Sequence, residues 1–209
     1  MVQKSREPPS TGRRGRPRGY DPDIALGRAL AAFWETGYAA TSLDELSAAT
    51  GMNRPSLYAA FGDKRALYGA ALERYRAMGR AAVRAAGDPE RSLREALRAL
   101  YDGALSLYFS GSGEPRGCFL IGTALSEAVR DPGLRDALAE ALREIDRAFA
   151  ARFRAARARG ELPAGAKPGS RAKLAVAVLY FLAIRSRAGE SRASLKAMTE
   201  DALDLICGN

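Results

Sequence analysis

One short segment of the chain combines a single long cation with small neighbours. Within the stretch 54–61, Leu57 and Phe61 lie four residues apart and predict the buried face of a helix. The opposite surface would then carry Arg54, Pro55, Ser56, Ala59 and Ala60. Small side chains allow a helix to approach a DNA major groove closely, and an arginine there can donate two hydrogen bonds to O6 and N7 of a guanine. The pattern favours base contact by Arg54, although a merely solvated arginine also fits it.

A second cationic feature is the pair Lys64-Arg65, which follows Asp63 at the predicted start of a helix. The positive end of the helix dipole disfavours cations in a first turn, by at most about 1 kcal/mol. A phosphate group bound at the same helix end would reverse the sign of that interaction. The pair therefore indicates either a phosphate contact or a solvated cluster beside Asp63.

The residue inventory argues against enzymatic chemistry. The 209 residues include no histidine, which removes the Ser-His-Asp and Cys-His nucleophile systems, the usual zinc ligand sets and the most common general base. The two cysteines, Cys118 and Cys207, are too few for a disulfide scaffold and fit a reducing cytoplasm. We therefore expect a protein that is not an enzyme and has no metal or other cofactor.

Positive charge is concentrated at the N-terminus. The formal net charge of +9 points to an anionic partner such as nucleic acid. Residues 1–20 carry six basic residues against Glu7, a net charge of +5, whereas residues 21–70 have a net charge of −2. The Gly/Pro-interrupted segment 1–18 is thus predicted to be a disordered basic arm. No apolar stretch resembles a signal peptide or could span a bilayer, so we expect a cytoplasmic protein with no membrane partner.

Helical periodicity dominates the rest of the chain. Apolar residues recur at helical spacing between Gly and Pro clusters, and no segment alternates like a strand over more than a few residues. About nine helices are predicted, at 21–35, 43–50, 54–61, 63–86, 90–109, 118–130, 133–159, 169–187 and 191–206. The fold class is therefore all-α, with a small N-terminal module at 19–78 and a larger helical body at 79–209.

The two shortest predicted helices carry the local signals of a helix-turn-helix. Ser42 and Glu45 form a capping box at the start of the first helix. Gly51 supplies the positive φ that a tight turn between helices tends to require. Asn53 can cap the second helix, and Pro55 falls in its first turn, where the missing N–H costs little.

Longer stretches of the same region resemble a known family. The strings 40–46 and 49–67, with 33–38 before them, closely resemble the DNA-binding domain of TetR/AcrR-type transcriptional regulators. The resemblance extends from about Gly19 to Tyr75, so it is far more specific than a bare helix-turn-helix pattern. It implies a three-helix, helix-turn-helix DNA-binding domain followed by a C-terminal helical domain for ligand binding and dimerisation. It also implies a homodimer that binds a palindromic operator in double-stranded DNA.

The resemblance assigns roles to individual residues. Three positions would face the bases: Arg54, Pro55 and Ser56. Three would contact phosphates: Thr41, Tyr58 and Lys64. Two arginines of the arm would touch the DNA backbone or the minor groove: Arg16 and Arg18. Each role has an alternative, since Tyr58 could instead pack against Leu67, Thr41 could simply flank a helix, and the arm could be a solubilising tail.

The last two predicted helices are candidates for the dimer interface. The family resemblance implies that helices near 169–187 and 191–206 pair across the dimer axis. The first contains the run 172–184, which is apolar almost all round and is expected to be buried on most faces. An ordinary core within one chain is the alternative.

A cysteine and several aromatic residues are candidate effector contacts. Cys118 follows Arg116 at a predicted helix start, where a lowered thiol pKa would favour the reactive thiolate. This Gly-Cys start resembles a subgroup of the family in which some members sense electrophiles or oxidants. A pocket between helices 90–109, 118–130 and 133–159 would suit a hydrophobic or aromatic effector. The candidate residues are Cys118, Tyr101, Tyr108, Phe119, Thr123 and Glu127, which would serve equally well as plain core.

Two functions remain open from the sequence. The favoured interpretation is a transcriptional repressor that responds to a small-molecule effector or to thiol oxidation. The alternative is an architectural DNA-binding protein that has no effector and uses its arm for charge. Sequence preference separates them, because a regulator prefers its operator over other DNA by several kcal/mol.

Overall fold

The computed structural model describes residues 20–88, 90–111 and 113–208, so the predicted arm at 1–18, with Arg16 and Arg18, lies outside the described residues. The described residues form nine α-helices and no strand, which confirms the all-α class. The helices are α1 (Pro22–Thr36), α2 (Leu43–Thr50), α3 (Arg54–Phe61), α4 (Lys64–Ala86), α5 (Leu93–Tyr108), α6 (Leu125–Glu127), α7 (Pro132–Ala158), α8 (Pro168–Arg187) and α9 (Arg192–Cys207).

Local sequence signals set most helix starts. The Asp21 side chain caps α1 by accepting the backbone N–H of Asp23, and Ser191 caps α9 by accepting that of Ser194. Ser92 opens α5 with a capping box like the one predicted for α2. The predicted boundaries therefore agree with the structure to within three residues, except over 118–130.

The segment 118–130 is not one regular helix. A π-helical turn, Leu120–Ala124, leads into the short helix α6. Just before it, Gly117 has a φ of +63°, and a Cβ there would lie 2.7 Å from the carbonyl oxygen of Ala183 in α8. The chain thus passes α8 too closely for any side chain, and the Trp34 Nε1–H donates to the Gly117 carbonyl oxygen at 3.1 Å. This close packing, which periodicity does not reveal, fixes the backbone on the N-terminal side of Cys118.

The long helix α4 connects the two parts of the fold. Its 23 residues span about 35 Å at 1.5 Å per residue. It packs with α1 and α3 and also with α5 and α7. Helices α5, α7, α8 and α9 form the body, with α7 against α8 and α5 against α9. Helix α4 therefore contacts both the helix-turn-helix and the body.

Helix α8 departs from the expectation of burial on most faces. Its inner side packs against α5, α7 and α9, but Leu174, Phe181 and Ile184 are 59%, 43% and 55% exposed. The single chain has no element that covers this side of α8 among its described residues. Within the same described ranges, no helix combines the length and the apolar character needed to cross a bilayer.

Candidate DNA-binding surface and effector cavity

The helix-turn-helix has the predicted local geometry. The Ser42 hydroxyl accepts the backbone N–H of Glu45, whose carboxylate accepts the backbone N–H of Ser42, so the capping box is formed. Gly51 ends α2 with a φ of +70°. Asn53 caps α3 by accepting the backbone N–H of Ser56 at 2.9 Å. These caps fix the angle at which α3 leaves the turn.

Helix α3 presents the predicted base-facing residues on its outer surface. Leu57 is buried against the core, whereas Arg54 and Pro55 are exposed and Ser56 is partly exposed. The Arg54 guanidinium is not simply solvated, because it forms an ion pair with Asp44 at 2.7 Å. The surface is therefore accessible and carries a cation whose direction is fixed by a neighbour on α2.

The predicted phosphate contacts differ in accessibility. Tyr58 is 47% exposed, so the alternative of a tyrosine buried against Leu67 is wrong. Thr41 is buried, and its hydroxyl donates to the Gly37 carbonyl oxygen at 2.5 Å and lies 2.7 Å from the Thr36 hydroxyl. This arrangement supports the alternative in which Thr41 simply flanks α2.

The predicted cationic pair at the start of α4 is divided between two partners. The Lys64 ammonium lies 4.5 Å from the centre of the Tyr38 ring, a cation–π distance, and the side chain is partly exposed. Arg65 instead turns to the body and forms a two-pronged ion pair with Asp131, the N-cap of α7. Lys64 thus stays available for a phosphate, whereas the alternative of a solvated cluster beside Asp63 does not hold for Arg65.

The pair between Arg65 and Asp131 predicts a measurable pH dependence. Hydrogen bonds from Arg65 hold the pKa of the Asp131 carboxyl well below its usual range. The stabilisation is therefore complete above the unfolded-state pKa, about 4, and is lost as the pH falls toward the depressed folded-state value. We expect Asp131→Asn, which keeps an N-cap side chain, to lower the thermal midpoint modestly at pH 7, by an amount that shrinks below pH 4.

Thermal denaturation followed by circular dichroism between pH 2 and pH 7 measures this difference. Asp21→Asn is the matched control, because Asp21 caps α1 with the same chemistry. A difference for Asp131→Asn that stays constant down to pH 2 would show that the ion pair does not contribute.

Two of the predicted effector residues instead join the two parts of the fold. The Tyr68 hydroxyl on α4 lies 2.8 Å from the Thr123 hydroxyl, and both side chains are buried. The Phe119 ring is fully buried, with ring centres 5.5 Å from Tyr68 and 5.6 Å from Tyr75. Thr123 and Phe119 therefore belong to the contact between α4 and the body, and neither lines the cavity described next.

A cavity of about 310 Å³ lies between α4, α5, α7 and α8. Of the six predicted effector residues, Cys118 and Tyr108 line it. Tyr101 does not, because its hydroxyl is buried and donates to the Ala175 carbonyl oxygen at 2.8 Å as part of the core. Glu127 is partly exposed on α6 and also lies outside the cavity. The predicted wall of helices 90–109, 118–130 and 133–159 is thus corrected to include α4 and α8.

Several polar or aromatic cavity residues were missed, and all but Glu144 lie on helices that the sequence assigns elsewhere. They include Tyr75 and Arg76 on α4, Glu144 on α7 and Tyr180 on α8. Arg76 Nη2 donates to Glu144 Oε1 at 2.7 Å, so a charged pair forms part of an otherwise apolar wall. Arginine and glutamate at helical spacing resemble a solvated face, and Tyr75 resembles ordinary core. No local sequence signal distinguishes a cavity residue from a solvated or a core residue at these positions.

A second hollow of about 360 Å³ adjoins the cavity at Phe149, Leu100 and Val83. Apolar side chains of α4, α5 and α7 line it, with Arg152 and Arg159 at its polar part. It contains no thiol or hydroxyl group, so the cavity beside Cys118 offers the richer set of contacts.

The environment of Cys118 differs from the expected one. The Arg116 guanidinium lies over the Trp34 ring, 5.2 Å from its centre, and donates to the Ser110 carbonyl oxygen. Burial raises the pKa of the Cys118 thiol, an effect that the hydrogen bond from the Tyr75 hydroxyl at 3.2 Å offsets only in part. The expected lowering of the thiol pKa is therefore wrong, because burial outweighs the hydrogen bonds that favour the thiolate.

Comparison with known proteins places this architecture in a family. Residues 25–71 match the family model described as bacterial regulatory proteins, tetR family, and residues 93–201 match the tetracyclin repressor-like C-terminal domain. The HTH-type transcriptional repressor ComR of Escherichia coli strain K12 is 32% identical over 195 residues, which cover 92% of this chain and 91% of ComR. These matches extend over both the helix-turn-helix and the body.

Solved structures of other regulators share this fold. A cysteine mutant of the TetR family regulator CifR, complexed with 26-bp double-strand operator DNA, is 36% identical, with a TM-score of 0.77 over 90% of this chain and 98% of that chain. The reduced form of E. coli NemR shares the fold, with a TM-score of 0.73 at 20% identity over 88% of this chain and 94% of its own. The chain therefore belongs to the tetR family of bacterial regulatory proteins, which are DNA-binding transcriptional regulators and not enzymes.

Proposed function

We propose that this protein is a transcriptional repressor that binds a palindromic operator as a homodimer and is released by an effector. The observation that carries the proposal is the exposed outer surface of α3, held by caps at both helices of the turn. The similar protein ComR is a repressor, and the CifR structure contains double-strand operator DNA. A repressor acts on the chromosome, so the proposed location is the cytoplasm.

The proposed DNA contacts follow the accessible residues. Arg54, Pro55 and Ser56 face the bases, and Tyr58 and Lys64 contact phosphates. Thr41 supports the start of α2 with its buried hydroxyl. Arg16 and Arg18, which lie outside the described residues, add backbone or minor-groove contacts in this proposal. Because residues 21–70 are net negative, affinity for any sequence depends on these few cations, doubled in a dimer.

Helices α8 and α9 form the proposed dimer interface. Leu174, Phe181 and Ile184 recur at spacings of seven and three residues, which places them on one side of α8. Leu205 is exposed on the adjacent helix α9. A two-fold pairing would cover this apolar surface. It would also hold the two copies of α3 roughly 34–36 Å apart, which is the separation of successive major grooves on one face of DNA.

The cavity beside Cys118 is the proposed effector site. Its mostly apolar wall suits a small hydrophobic or aromatic compound, and the Tyr75, Tyr108 and Tyr180 rings supply aromatic surface. Oxidation of the Cys118 thiol is the second proposed trigger, because an added oxygen on Sγ would enlarge and polarise a packed site. Either change acts on Tyr75 of α4, the helix that begins with Lys64 at the DNA-binding surface.

Selection of bound DNA from a random duplex pool near physiological salt tests the proposal. A two-fold palindrome with half-sites about one helical turn apart supports the dimeric repressor. Absence of an enriched motif, with binding that collapses as salt rises, contradicts it and supports the architectural alternative.

The phosphate contact of Lys64 has its own expected result. We expect Lys64→Ala to weaken binding to all sequences about equally and to reduce the slope of log affinity against log salt by about 2 per dimer, since two phosphate contacts are lost. Fluorescence anisotropy with operator and scrambled duplexes at several salt concentrations measures both quantities.

Lys167→Ala is the control for this experiment. It removes the same charge from an exposed position at the start of α8. An unchanged slope in Lys64→Ala would refute the phosphate assignment.

A further inference from the structure

The ion pair at the start of α3 has a specific geometry. Arg54 Nε donates to Asp44 Oδ1 at 3.0 Å, and Arg54 Nη2 donates to Oδ1 and Oδ2, both at 2.7 Å. The carboxylate thus occupies the inner edge of the guanidinium, formed by Nε and Nη2. The outer edge is formed by Nη1 and Nη2, and Nη1 makes no hydrogen bond with the described residues, so this edge can turn its parallel N–H groups to another acceptor.

Asp44 and Arg54 both lie at capped helix starts, where the backbone is fixed by hydrogen bonds. Asp44 lies in the first turn of α2, where the Ser42–Glu45 capping box fixes the helix start and the helix dipole favours a carboxylate. Arg54 is the first residue of α3, whose start is fixed by the Asn53 cap. The pair therefore bridges the two helices of the helix-turn-helix and sets the direction of the Arg54 side chain.

The outer edge of a guanidinium matches one base in particular. Its two parallel donors fit O6 and N7 of guanine in the major groove. The neighbours Pro55 and Ser56 are small, so they leave room for the base edge. An arginine whose rotamer is already fixed also loses less side-chain freedom on binding.

We propose that Asp44 is a positioning residue for base recognition, which holds the inner edge of Arg54 so that its outer edge reads a guanine. The inference rests on the proposed function, in which Arg54 faces the bases. Asp44 touches no base in this scheme and acts through Arg54. An exposed ion pair of this kind contributes little to folding, so its effect appears in sequence discrimination.

The alternative role for Asp44 predicts the opposite change in operator affinity when its charge is removed. A carboxylate near DNA repels phosphates, and an ion pair that had to open before binding would reduce affinity. If Asp44 merely sequestered Arg54, removal of its charge would tighten operator binding. If Asp44 positions Arg54, the same change weakens binding to the operator with guanine and reduces discrimination at that base pair.

The experiment measures discrimination directly. The full-length protein and the variants Asp44→Asn, Arg54→Ala and the double variant are titrated against the selected operator and its single-base changes at each half-site position. Asp23→Asn is the matched control, since it removes one exposed carboxylate from the same part of the chain without contact to Arg54. Thermal denaturation confirms that every variant is folded.

The expected result is specific to one base pair. Arg54→Ala abolishes the preference for guanine at one position, Asp44→Asn reduces that preference by about tenfold, and the double variant matches Arg54→Ala. Asp23→Asn leaves the preference unchanged. Tighter operator binding by Asp44→Asn with full discrimination, or no change at all, overturns the positioning role while Arg54 remains a base contact. No effect of Arg54→Ala on any position overturns both the proposed base contact and the positioning role.

Discussion

Replacement of Phe181 by glutamate is expected to convert the proposed dimer into a monomer and to weaken operator binding by about 100-fold or more. Phe181 is an exposed aromatic side chain on the apolar side of α8. A two-fold interface contains every substitution twice, so the change would bury two carboxylates in place of two rings. A single helix-turn-helix then engages one half-site and loses the contribution of the second.

The mutation is not expected to unfold the chain. Arg185 lies four residues on, with its guanidinium 5.7 Å from the centre of the Phe181 ring, so a glutamate at this position gains a favourable pair along α8. Sedimentation equilibrium measures the mass, which should fall from twice 22.3 kDa to 22.3 kDa. Anisotropy titration with the operator measures the affinity.

The control for this prediction is Val129→Glu. Val129 is 77% exposed and lies outside α8 and α9, so it receives the same charge without altering the proposed interface. A Phe181→Glu variant that remains a dimer would place the interface elsewhere. A monomer in both variants would show that added charge, and not its position, disrupts the assembly.

The parts of the site that sequence predicts are those held by short-range interactions. The capping box of Ser42 and Glu45, the left-handed Gly51 and the cap at Asn53 each depend on residues within a few positions of one another. These features can therefore be predicted from the order of residues alone. The exposure of Tyr58 follows from the same helical phase that buries Leu57.

The remainder depends on contacts between distant residues. Arg65 and Asp131 are 66 positions apart, and nothing in either neighbourhood indicates the other. The cavity forms where the second half of α4 meets α5, α7 and α8, so the predicted boundary at residue 78 falls inside a helix that serves both parts. The raised pKa of Cys118 likewise arises from burial, which depends on how the helices assemble.

Cys118 provides the second large expected effect. We expect Cys118→Ser to retain operator affinity and to lose release of the operator by hypochlorite or benzoquinone. The Cys118 thiol lines the cavity and accepts a hydrogen bond from the Tyr75 hydroxyl of α4, so we expect its modification to displace the helix that carries Lys64. Serine is smaller and keeps a hydrogen-bonding group there, which preserves the unmodified packing.

The rate of this release should rise with pH. Burial raises the pKa of the thiol, so the thiolate is a small fraction at pH 7. While the pH stays below that pKa, the thiolate fraction grows nearly tenfold for each unit by which the pH rises. The measurement is the rate of operator release with benzoquinone from pH 6.5 to pH 8.5, read by anisotropy at constant salt. A rate independent of pH would show that the reagent does not act through the thiolate of this buried group.

Cys207→Ser separates reaction at the cavity from reaction at any buried thiol. Cys207 is also buried and burial also raises its pKa, but it lies at the end of α9 and outside the cavity. Release should therefore persist in Cys207→Ser and disappear in Cys118→Ser. Unchanged release in Cys118→Ser would exclude the thiol as the trigger. The proposed effector would then have to act by occupying the cavity, because only a compound that binds the released state more tightly can shift the equilibrium away from DNA.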